Sequence, residues 1–230
     1  MIYDQTELIK KERDMDAYNR LISGYREFRA NYQSEENEEW LKVAGSRQDP
    51  KVMMIACSDS RVHPAILTRS ALGELFMIRN VANVVPPFEE GGDDSTYHGT
   101  SAGIEFAINH LHVEHIIVMG HSGCGGIGAL MDNEITEKTE GYSFIRPWMT
   151  IVEEAREFSE LEKASMSKQS RVSICEQRAI LISLNNLVSF PWVKEAIKVG
   201  GLHLHGWYFD IKSGNLSEYN WQQEKFEEIT

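Results

Sequence analysis

Cysteine is scarce in this chain: Cys57, Cys124 and Cys175 are the only thiols in 230 residues. An odd number this small builds no disulfide framework, so the thiols point to a reducing compartment, where they serve as metal ligands, as catalytic groups or as small buried apolar side chains. Positive charge is also in deficit. Lys and Arg number 23 against 35 Asp and Glu, for a formal charge of −12, which argues against a phosphate-tracking face and against nucleic acid as a partner. Long apolar runs are missing too. Nothing approaches the ~18 residues that a membrane span needs, and no basic-then-apolar leader opens the sequence, so the expectation is a soluble, cytoplasmic protein without a membrane partner. Internal repeats, low-complexity tracts and linkers are likewise absent. A single domain over residues 1–230 is expected, with 1–47 as an N-terminal helical arm and 48–230 as the core. A chain of this length buries roughly 70% of its unfolded surface and needs no covalent staple.

Apolar periodicity is present in two forms. Tyr18, Leu21, Ile22, Tyr25 and Phe28 recur at three- and four-residue spacing, which predicts a helix in the N-terminal arm. Val52 to Ala56 is instead a short continuous apolar run after Pro50, as is the β-branched run from Ile116 to Met119, and both read as strands buried on two faces. Residues 74–79 form another strand-like run, and 99–112 form a helix with Ile104, Ala107, Ile108 and Leu111 on one side. Strand, strand, helix, strand predicts an α/β fold with a parallel sheet. Exposed loops are expected at 91–95 and 132–141, helices around 147–163 and 172–190, and a short third helix from Pro191. A closing hairpin over 201–211 and 216–221 should extend the sheet edge.

Chemistry gathers where two of these strands end. The first runs into Cys57-Ser58-Asp59-Ser60-Arg61, a thiol, a carboxylate and a guanidinium at alternate positions. The other runs into Gly120-His121-Ser122-Gly123-Cys124-Gly125-Gly126. Sites in open α/β sheets lie beyond the carboxyl ends of the strands, so Cys57, His121 and Cys124 can converge there. Two sulfurs and an imidazole suit zinc, and three protein ligands leave the fourth tetrahedral position open, as in a catalytic site.

Rival readings of the same loops fit less well. Gly123, Gly125 and Gly128 satisfy G-x-G-x-x-G, but no strand with an acidic residue follows about 20 residues on, so a dinucleotide-binding unit does not close. Arg61 lies four residues after Cys57, too close for a Cys-x5-Arg phosphatase loop. The other histidines lack such company. His63, His98, His110, His112 and His115 read as surface or structural residues, and His203 and His205 share a strand face in a packed or hydrogen-bonded role rather than a second metal site.

The paired signatures Cys57-Ser58-Asp59-Ser60-Arg61 and His121-Ser122-Gly123-Cys124-Gly125-Gly126 resemble those of the β-class carbonic anhydrases. The similarity extends to Gly73-Glu74, Arg79-Asn80-Val81-Ala82-Asn83, the stretch from His98 to Glu105, Cys175-Glu176 and Gly206-Trp207-Tyr208. It implies four parallel strands extended by a C-terminal antiparallel strand, flanking helices, and a dimer or tetramer with the site at the interface. One Zn2+ per chain is implied on Cys57, His121 and Cys124, with Asp59 and Arg61 as a catalytic dyad. The implied reaction is reversible hydration of carbon dioxide to bicarbonate and a proton by zinc-bound hydroxide. Implied substrate contacts are Gln48 from across the interface, the apolar positions Phe76 and Val81, the Gly125 amide, and Phe106 where the plant-like branch usually has tyrosine. Branches with an aspartate-closed zinc carry tryptophan and glycine where this chain has Met54 and Ala56, so the resemblance implies an open site. A carbon disulfide hydrolase of the same family and a non-catalytic structural-zinc protein are the alternatives.

Overall fold

A computed structural model describes residues 5–32, 38–90, 98–133 and 143–229. The expected loop at 91–95, and that at 132–141 beyond Asn133, lie outside the described residues. Two compact units are present, Met1–Gln48 and Asp49–Thr230. The first consists of helices α1 (Gln5–Ala30) and α2 (Glu38–Ala44). The Phe28 ring meets Tyr32 and Trp40 edge-on, each at 5.5 Å between centroids. Of the expected stripe on α1, Ile22 and Phe28 are partly buried, whereas Tyr18, Leu21 and Tyr25 face solvent.

The second unit begins with β1 (Val52–Cys57), α3 (Pro64–Thr68), β2 (Leu75–Asn80) and a 3-10 turn at Val81–Asn83. Next come α4 (Gly99–Asn109), β3 (His115–His121), α5 (Gly125–Met131) and α6 (Ile145–Thr150). The chain closes with α7 (Glu160–Ser165), α8 (Lys168–Ser189), α9 (Pro191–Lys198), β4 (His203–Phe209), β5 (Leu216–Asn220) and β6 (Lys225–Glu228). One six-stranded sheet results, in the order β2-β1-β3-β4-β5-β6. The first four strands are parallel and the last two antiparallel. Sequence reasoning anticipated a single antiparallel strand; β6 escaped it because Lys-Phe-Glu-Glu carries only one apolar side chain.

The helix expected over 147–163 is broken. A 3-10 turn at Glu153–Arg156 interrupts it, and a capping box restarts the chain as α7. There the Ser159 hydroxyl accepts from the Glu162 amide, and the Glu162 carboxylate accepts from the Ser159 N–H at 2.7 Å. Such a box is a start signal, and it stands inside the stretch expected as one helix. Pro191 ends α8 and opens α9 from its first position, as a residue without an N–H should.

Both faces of β1 and β3 are buried, which explains their unbroken apolar runs. Met53, Ile55, Ile116 and Val118 pack with Ile104 and Ala107 of α4 and with Ile180, Leu184 and Leu187 of α8. Met54, Ala56, Ile117 and Met119 face the other way, with Val62 and Phe209. α8 lies close on the sheet because β3 and β4 carry glycines beneath it: a Cβ at Gly120 would meet Ile180 at 2.8 Å, and one at Gly206 would meet Leu184 at 2.9 Å. No helix among the described residues is long and apolar enough to cross a membrane.

Candidate metal centre

Parallel pairing sends the carboxyl ends of β1 and β3 to the same end of the sheet. Ala56 lies opposite Met119, so Cys57 and His121 finish neighbouring strands, and Cys124 follows as the residue that caps α5. The candidate ligand atoms of Cys57, His121 and Cys124 all lie within 4.8 Å of one another, and all three residues are buried. Their sulfurs are 4.0 Å apart. With Zn–S bonds of about 2.3 Å, a tetrahedral ion holds two thiolates about 3.8 Å apart, so the spacing fits.

The imidazole is prepared in the same sense. His121 Nδ1 sits 3.0 Å from the Ser122 carbonyl, which can only accept, so Nδ1 carries the hydrogen and Nε2 carries the lone pair. Nε2 is buried and has no hydrogen-bond partner. An orphaned nitrogen of this kind is costly unless an ion takes its lone pair, and a carbonyl behind a metal-bound histidine is the usual way to fix its tautomer. Burial resists protonation of His121, while the nearby Cys57 sulfur, Ser122 carbonyl and Asp59 carboxylate raise its proton affinity on balance. The two thiols share a proton unequally. Donation from Cys124 pulls the Cys57 pKa down, whereas the same bond, together with burial, holds the Cys124 pKa up.

Asp59 and Arg61 form a two-pronged pair beside this group. Arg61 donates from Nε to Oδ1 at 2.9 Å and from Nη2 to Oδ2 at 2.7 Å, and its backbone N–H donates to Oδ1 at 2.9 Å. The same Nη2 reaches the Gly123 carbonyl at 3.1 Å, tying the loop after β1 to the loop after β3. Asp59 Oδ2 ends 3.9 Å from His121 Nε2. The guanidinium holds the Asp59 carboxyl well below the usual carboxylate range, so it is ionised at neutral pH.

Several supporting residues had no role in the sequence reading. Arg79 on β2 turns its guanidinium under the loop after β1, donating to the carbonyls of Cys57 (3.0 Å), Asp59 (2.7 Å) and Val62 (2.7 Å). The buried Glu176 carboxylate accepts from the Cys124 N–H at 2.9 Å and the Tyr208 hydroxyl at 2.8 Å, and burial raises its pKa against those bonds. The Ser122 hydroxyl donates to Asp210 at 2.8 Å and accepts from the Ile211 N–H at 3.0 Å, joining the loop after β3 to the end of β4. Ala82 and Asn83 hold left-handed backbone (φ 61° and 49°), a conformation that costs energy in residues with a Cβ and recurs at functional sites. Replacing Arg79 with lysine, whose single ammonium cannot span three carbonyls, is expected to destabilise the protein by about 1–3 kcal/mol. Urea unfolding of the two proteins measures this, and an unchanged midpoint would mean that the loop holds its own shape.

The remaining expected site residues divide into two sets. Val81 lies beside the metal group: a Cβ on Gly126 would meet its Cγ1 at 3.0 Å, and its carbonyl accepts from Trp148 Nε1 at 2.8 Å. Gly125 opens α5 with free space above its Cα, so its N–H is outside the intrahelical ladder. Phe76 stands opposite Met53, four residues or about 13 Å along the strand from Cys57. Its ring packs on Phe106 at 5.9 Å, and Phe106 is 41% exposed, so the two form a separate aromatic pair. Gln48, exposed, closes the first unit.

A mostly parallel sheet whose adjacent strand ends bring Cys57, His121 and Cys124 together beside an arginine-anchored aspartate defines a group that could hold a metal ion. Residues 52–216 match the family model of carbonic anhydrase. Beta carbonic anhydrase 3 of Arabidopsis thaliana is 36% identical over 205 residues, covering 88% of this chain and 76% of that protein. The chloroplastic beta carbonic anhydrase 5 of the same plant is 34% identical over 203 residues, and the chain spans 65% of its length. Among solved structures, the beta-carbonic anhydrase CcaA superposes with a TM-score of 0.82 at 30% identity, covering 94% of this chain and 93% of that one. Tetrameric beta-carbonic anhydrases from Sordaria macrospora give a TM-score of 0.73 at 30% identity, covering 88% and 96%. The chain belongs to the β-carbonic anhydrase family.

Proposed function

We propose that this protein is a zinc-dependent carbonic anhydrase, interconverting carbon dioxide and bicarbonate with about one zinc per chain on Cys57, His121 and Cys124. The observation that carries the reading is the buried three-ligand group beside an aspartate that its arginine holds charged and oriented. A zinc ion supplies an acidified water at neutral pH; in three-histidine carbonic anhydrases its pKa falls to about 7. Asp59, ionised and only an acceptor, takes the hydrogen bond of the attacking water and directs its lone pair at the substrate carbon. Arg61 keeps that carboxylate turned aside and fixed, because a two-pronged charged pair resists rotation. Val81 offers carbon dioxide an apolar wall, and the Gly125 N–H offers bicarbonate a donor.

Phe76, some 13 Å down the strand from Cys57, and Phe106 of α4, which packs on it, complete the pocket of a second subunit rather than their own, and Gln48 acts in the same way. Self-association accords with the tetrameric assembly of the Sordaria relatives. Metal analysis with stopped-flow hydration of carbon dioxide tests the whole reading. About one zinc per folded chain together with hydration activity is expected. Zinc-loaded protein that leaves carbon dioxide untouched but hydrolyses carbon disulfide would reassign the substrate, and folded protein without zinc would remove the site. An active monomer on gel filtration would contradict the shared pocket.

A further inference from the structure

A second cluster of metal-ligating side chains lies at the other end of the sheet. His115 opens β3, about 20 Å along the strand from His121. Parallel register sets it directly beside His203, the first residue of β4, and His205 follows two positions later on the same face. His115 Nδ1 is 3.0 Å from His205 Nε2, and the His115 and His203 rings stack at 5.3 Å and 26°. Behind His205, Glu218 of β5 sits 2.7 Å from Nδ1. The sequence places His203 and His205 on one face but does not reveal His115, which lies roughly ninety residues away on the neighbouring strand.

We infer that His115 and His205 chelate a divalent transition ion of the zinc, nickel or copper type. The Glu218 carboxylate can only accept, so His205 Nδ1 donates to it, and in the neutral ring Nε2 presents its lone pair to His115. That is the carboxylate–histidine–metal arrangement, one atom short of the metal. The spacing agrees. Metal–nitrogen bonds of about 2.0–2.1 Å place two ligands about 3.3 Å apart in a tetrahedron and about 2.9 Å apart in a square plane, and 3.0 Å lies between. When the ion enters, the hydrogen on His115 Nδ1 passes to its own Nε2, which frees the Nδ1 lone pair for the ion. The two side chains project from paired strands, so little ordering remains to be done when the ion arrives. The net charge of −12 favours cation capture.

Untagged protein holding its first zinc, dialysed against zinc and counted by atomic emission and calorimetry, tests the site. A second, weaker equivalent is expected, together with a melting temperature that rises with zinc concentration. The double variant His115→Gln/His205→Gln should keep the first equivalent and lose the second, while Glu218→Gln should weaken the second 10–100-fold. Retention of the first equivalent shows that the double variant is folded. Wild-type protein that stops at one zinc, or a double variant that still takes up a second, overturns the inference and leaves a pair of histidines that only share a proton. Cys124→Ser, aimed at the other site, should leave uptake by His115 and His205 unchanged, so the two readings stand or fall separately.

Discussion

Replacing Asp59 with asparagine is expected to lower the rate of carbon dioxide hydration by about 10²–10⁴-fold, the usual span for a positioned proton-handling group, while zinc content stays the same. Asparagine preserves size but exchanges one accepting oxygen for an NH2 donor and removes the charge. Both prongs from Arg61, at 2.9 and 2.7 Å, then lose their ionised acceptor, so the side chain can neither hold its orientation nor receive the hydrogen bond of the attacking water. Asp59 is not one of the three candidate ligands, so metal counts should not move. Stopped-flow rates beside metal analysis separate the two effects. Near-full activity in the variant would exclude Asp59 from the chemistry.

Cys124→Ser should have the other large effect, weakening zinc binding by more than 100-fold. Losing a partner behind a ligand typically costs 10–100-fold, and losing the ligand itself costs more. Cys175→Ser is the control. Cys175 is just as buried, and burial pushes its thiol up to about 12, but it lies outside the ligand group. Its replacement should leave zinc in place, with at most a modest loss of stability from placing a hydroxyl in an apolar site. Equilibrium dialysis of the two variants decides the matter, and equal zinc affinities would mean that Cys124 is not a ligand.

What sequence could reveal here was set by range. Cys57 and His121 each end an apolar run, so periodicity placed them at strand ends, and the parallel sheet brought those ends together. Asp59 and Arg61 pair across two residues, within reach of local reading. The Arg79 clamp spans about twenty residues, and Glu176 meets Cys124 across 52; neither contact has any local pattern to announce it. Phe76 and Phe106 were grouped with the pocket by resemblance, but strand register separates them from Cys57 within one chain. The stretch 147–163, expected as one helix, is divided by the Ser159 capping box, a local start signal within it.

Parallel pairing also bears on when the metal centre can come into being. Cys57 and Cys124 stand 67 residues apart and meet only after β1 and β3 have paired through a crossover. The Glu176 and Tyr208 support arrives later in the chain still, from α8 and β4. Contacts this distant in sequence form slowly, because loop closure must precede any reward from pairing. The candidate ligand set therefore depends on the pairing of β1 with β3 and has no counterpart in either strand alone.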